Sequence, residues 1–222
     1  MIYLATTILA SFGCFVLGLA VLLKDKKNPL NILFFIFTMM LIFYNIANYF
    51  WYNPQISSFL FRLTYSAGSL TVASGTSWAI SISKGYNKRN ILIIYFIGII
   101  FALLAIPNGL LIKQMSDQLP TANFQNSMTP LYYVYIAYAI ATVFYAIFAI
   151  TKATIKQKGL VKKKMSLIVA GITLFAISAL TVDLLLPNLG INVSYLNNVS
   201  SLVFIGLSSL AMIKYSPGDS NG

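Results

Sequence analysis

Apolar residues gather in seven long runs separated by short polar gaps. The runs cover roughly 2–23, 30–51, 57–83, 91–112, 130–152, 165–187 and 196–214. A helix needs about 20 apolar residues to cross the hydrocarbon of a bilayer, and every run is near that length. None alternates apolar and polar positions, so none reads as a strand. The connectors are rich in Asn, Pro, Gly and Lys, and the longest are 113–129 and 153–164. This pattern predicts an all-α membrane protein. One seven-transmembrane-helix bundle fills residues 1–216, and a short tail occupies 217–222.

Composition supports the membrane assignment. The chain is 59% hydrophobic and only 9% charged, with Lys and Arg outnumbering Asp and Glu 15 to 4. In a soluble domain, a net charge of +11 would point to nucleic acid. Here the cations lie between apolar runs, as they do in cytoplasmic loops. Thirteen of them flank the 1–2, 3–4 and 5–6 connections or the C-terminal end. Lys113 alone lies on the other side, and Arg62 falls within a span. This asymmetry predicts an N-terminus outside and a C-terminus in the cytoplasm. No basic stretch precedes the first run, so it is expected to be retained as a span and not cleaved as a signal peptide.

Two charges sit well inside the runs. Arg62 lies about five residues into the third span, roughly 7–8 Å deep at 1.5 Å per residue. Asp183, in "TVDLLLPNLGI", is four residues from the outer end of the sixth, roughly 6 Å deep. Alone at a helix centre each would cost about 2.5–3.5 kcal/mol, and less near the interface. Their opposite signs and similar depth predict an intramembrane ion pair between spans 3 and 6. Snorkelling of each to the interface is the alternative. Asn45 and Asn48 share a face of span 2, with Trp51 close by, and Asn198 opens span 7. The expected ligand contacts, near the outer face, are therefore Asn45, Asn48, Trp51, Arg62, Asp183 and Asn198. Tyr132, Tyr133, Tyr135 and Tyr138 cluster at the start of span 5 and suit an interfacial belt. Span 3 carries Ser66, Gly68, Ser69, Ala73, Ser74, Gly75 and Ser77. Small residues let helices approach closely in lipid, which places this span at the centre of the bundle.

The second half carries a resemblance. "VKKKMSLIVAGITLFAISALTVDLLLPNLGI" and "SLVFIGLSSLAMIKYSP" resemble the seven-transmembrane N-terminal sensor region of bacterial histidine kinases and related signalling proteins. A basic loop leads into span 6, and Leu186-Pro187-Asn188-Leu189-Gly190 forms the turn after it. Ala211-Met212-Ile213-Lys214-Tyr215 forms the exit. The match covers about 160–216, while residues 1–155 agree in hydropathy and topology alone. The resemblance implies a sensory input module of a two-component system. It would pass a small-molecule or lipid-like cue to a cytoplasmic output domain or partner. The kinase activity of such proteins is not carried over, because no phosphotransfer or ATP-binding segment follows by Gly222.

The absence of His, with a single cysteine, Cys14, argues against metal, haem and Ser-His-Asp chemistry. With no nucleotide-binding motif either, the expectation is a protein that is not an enzyme. No cofactor is expected: span 7 has no mid-helix lysine for a retinal Schiff base. The expected partners are the bilayer, an unidentified ligand and an output protein, with no nucleic acid; a homodimer is compatible with this reading. Cys14 reads as a small packing residue. The alternative function is a small multi-pass transporter, which an internal repeat would favour. No clear repeat is present.

Overall fold

The computed structural model describes residues 2–51, 58–111, 128–186, 193 and 195–214. Every regular element among those residues is a helix. The helices are α1 (Ile2–Lys24), α2 (Pro29–Trp51), α3 (Ser58–Lys84), α4 (Lys88–Ala105), α5 (Pro130–Ile155), α6 (Gly159–Ala179) and α7 (Tyr195–Lys214). A π-helical turn, Leu180–Leu185, continues α6. All but α3 are long and apolar enough to cross a membrane.

Local chemistry sets several boundaries. Asn28 Oδ1 accepts the Leu30 N–H at 2.9 Å, opening α2 just before Pro29. Asn87 accepts from the N–H groups of Arg89 and Asn90 and caps α4, which meets donors that have no partner within the helix. Pro130 starts α5, where its missing N–H costs nothing. Gly85, φ +86°, follows the last residue of α3; the left-handed conformation ends a helix and suits glycine.

The helices close a ring in the order α1, α2, α3, α5, α6, α7, and α4 packs on the outside of α3. Lys24 at the end of α1 donates to the Ile213 carbonyl near the end of α7, so these two ends share one face of the bundle. At the opposite end, Tyr3 meets Tyr195 edge to face at 5.6 Å.

Helix α3 explains its own low hydropathy. It packs against α2, α4 and α5, and its hydroxyls bond neighbouring backbones. Thr64 donates to the Ala47 carbonyl, Thr71 to Met40 and Ser69 to Gly98. A helix shielded from lipid by its neighbours does not need an apolar surface. Gly98 of α4 makes the closest approach. A Cβ there would lie 2.5 Å from the Ala73 Cβ.

Aromatic packing fills the half of the bundle nearer Lys24 and Lys214. Phe34 lies 4.9 Å from Trp78, and Phe204 lies 5.5 Å from Phe37 and 5.7 Å from Phe175. Cys14 is fully buried in this core, in keeping with a packing role. Toward the other end, Tyr65 meets Tyr132 and Tyr135 edge to face, at 5.7 and 5.8 Å.

Candidate functional site

The bundle does not pack solidly. A cavity of about 420 Å³ lies among α2, α3, α5, α6 and α7, within the ~300–1,000 Å³ typical of small-molecule sites. Along α3 its wall runs from Thr64 to Ala79, or roughly 22 Å at 1.5 Å per residue. It is therefore an elongated slot. Tyr65, Tyr132 and Asn48 line one end, and Phe37, Ala79 and Phe204 the other. Ala179 and Leu180, at the junction of α6 with its π turn, also line it.

Few of the polar side chains on this wall remain available to a ligand. Thr64 and Thr71 are bonded to backbone carbonyls. The Tyr135 hydroxyl donates to the Tyr65 carbonyl at 2.9 Å. The Tyr44 hydroxyl accepts from the Asn197 amide at 3.4 Å. No Asp, Glu, Lys or Arg of the described residues lines the cavity. Such a chamber accepts hydrocarbon readily and makes an uncompensated charge costly.

The expected site residues divide by position. Asn48 is 5% exposed and lines the cavity. Asn45 donates to the Ser201 hydroxyl at 3.3 Å, tying α2 to α7. Asn198 donates to the Thr7 hydroxyl at 2.9 Å, tying α7 to α1. Arg62 reaches α4: Nε donates to the Ile106 carbonyl at 2.8 Å, and Nη1 to Asn108 Oδ1 at 3.1 Å. A cation there complements the carbonyl dipoles at the end of α4. The side chains of Trp51 and Asp183 lie outside the described residues, so the Arg62–Asp183 pair stays a prediction. The backbone puts Asp183 in the π turn. Helices α3 and α6 face each other across the cavity and do not pack closely.

A partly polar pocket near the outer face, among the second, third, fifth, sixth and seventh helices, was expected from the sequence; the length and apolar character of the chamber were not. Its small and aromatic wall residues, such as Gly68, Gly75 and Ala139, look like ordinary packing positions in a run of apolar letters. The signal that bears on it is Asn48, a polar residue on the inner face of an apolar helix. The π turn was also missed. There the Leu186 N–H bonds the Thr181 carbonyl five residues back. Single π turns inside α-helices occur often at functional sites.

Comparison with known protein families finds no family model that matches the chain, and no curated protein matches it.

Proposed function

We propose that this protein is a seven-span membrane receptor module that binds a ligand inside its bundle and signals through α7 to a cytoplasmic output domain or partner. The observation that carries this reading is the cavity, which touches both the α6–π junction, at Ala179 and Leu180, and α7, at Phe204. On this reading α3 is the seventh span, and its hydroxyls are buried against its neighbours. The N-terminus lies outside, because the lysines mark the cytoplasmic end.

The mechanism follows from the fit of a ligand to two arrangements of one element. A π turn holds one more residue than the α turn it replaces. Relaxing it rotates whatever lies beyond it relative to α6. A ligand pressed against Leu180 and Phe204 favours one arrangement by its difference in affinity for the two, and by no more than that. Helix α7 packs on α6 and runs to Lys214 at the basic end, so it is the lever. The resemblance to kinase sensor regions agrees with this direction of transfer.

The test fuses residues 1–216 to a histidine-kinase output domain and fills the slot with Ala139→Phe or Ala176→Phe. Autophosphorylation should respond to a membrane lipid extract in the parent fusion and stop responding in both variants. An undiminished response with the slot filled would reject the cavity as the input site.

A further inference from the structure

The wall of the cavity says what kind of molecule fits. Asn48 is 95% buried, and its amide faces the slot with no hydrogen bond to any described residue. A buried amide left without a partner is costly, and such groups in folded proteins are nearly always satisfied. The other polar wall groups named above are largely occupied by backbone or by each other. Asn48 is therefore the one carboxamide at that end of a long, largely apolar slot, whose wall also carries the Thr76 and Thr173 hydroxyls.

The slot also opens sideways. Phe144 on α5 and Ile177 on α6 line it, yet are 58% and 60% exposed. A second hollow lies along the α5–α6 seam and shares Thr173 and Ile177 with the first. Its wall includes Thr151, Ser166 and Leu174. The two hollows adjoin at the α5–α6 seam.

We propose that the ligand is a neutral amphiphile drawn from the surrounding lipid, with an apolar chain lying along α3 and α5 and one hydroxyl, carbonyl or amide group held by Asn48. The proposal rests on the cavity being the ligand site. It adds the ligand's charge, its single polar head and its route between α5 and α6. A carboxylate or an ammonium is excluded because no charged side chain on the described wall would neutralise it.

The test uses the full chain in lipid nanodiscs. The probe is a long-chain alcohol carrying a diazirine, alongside the matching carboxylate, ammonium and plain hydrocarbon. After irradiation, labelled residues are mapped by mass spectrometry. The alcohol should label slot-facing positions on α3, α5 and α6, and the two charged probes should not. Asn48→Leu should weaken alcohol labelling about five-fold, as expected for losing one buried hydrogen bond, and leave the hydrocarbon unaffected. Ala139→Phe should abolish slot labelling by alcohol and hydrocarbon alike, and it supplies a second variant should Asn48→Leu fold poorly. Labelling confined to lipid-facing positions such as Phe12 and Phe96 would overturn the proposal. So would equal slot labelling by the charged probes, or alcohol labelling indifferent to Asn48→Leu. Slot labelling without any change in the output of the fused kinase would leave the ligand class standing and reject the receptor reading.

Discussion

Gly98 permits a sharp test of the packing on which the site depends. In Gly98→Ala the new Cβ would sit 2.5 Å from the Ala73 Cβ and 3.5 Å from the Ser69 carbonyl. Carbon atoms pack comfortably at about 3.5–4.0 Å, so α4 must retreat from α3 by roughly 1–1.5 Å. The obstructing atom is itself a Cβ and has no rotamer to escape into. Overpacking of this kind costs about 1–3 kcal/mol. The retreat also stretches the 2.8 Å bond from Ser69 to the Gly98 carbonyl, adding about 0.6 kcal/mol, the average for interhelical bonds in membranes. Alanine returns about 0.8–1.0 kcal/mol in helix propensity. The expected net loss is about 0.6–2.8 kcal/mol, read as unfolding free energy in bicelles. Ala73→Gly on top of Gly98→Ala removes the obstructing methyl and should recover most of the packing term. If Gly98→Ala is as stable as the parent, or Ala73→Gly fails to rescue it, the close α3–α4 approach is wrong.

Other outcomes follow from the same structure. Asn45→Leu and Asn198→Leu each break an interhelical tie and should cost about 0.6–1.7 kcal/mol, whereas Asn48→Leu should leave empty-protein stability unchanged or higher; equal losses at all three would contradict the division between ties and ligand contact. Arg62→Gln removes the clamp on Ile106 and Asn108 and should cost about 1–3 kcal/mol. Combined with Asp183→Asn it should deviate from additivity by about 0.5–3 kcal/mol if the two charges pair, and simple additivity would show that they do not. A reporter in the 113–129 connection should be active outside the cell and one after Lys214 inside, and the reverse would invert the orientation.

The helices were legible because lipid demands long, unbroken apolar runs. The close packing of α3 on its neighbours was legible from Ser66, Ser69, Ala73 and Ser77, since small residues at helical spacing suit helix contacts better than lipid, but its place in a ring around a cavity, and not at the centre, was not. Partner choice was harder. Asn45 and Asn48 lie three residues apart on one side of α2, yet one reaches Ser201 and the other the slot. A rotation of the helix by a few tens of degrees decides which, and hydropathy does not encode it. Arg62 turns to Ile106 and Asn108, at the end of α4, and no periodicity in the sequence links those segments. The cavity depends on how far α5 and α6 stand apart, a property of the whole bundle.

The central claim is that filling the slot moves α7. Cys14 is the sole cysteine, so Cys14→Ser gives a clean background for spin labels at Lys84→Cys on α3 and Lys214→Cys on α7. Their distance distribution in nanodiscs, measured by electron double resonance with and without a long-chain alcohol, reads the lever directly. The account predicts a shifted distribution with the alcohol and none in the Ala139→Phe variant. An unchanged distribution while the slot is demonstrably labelled would contradict it.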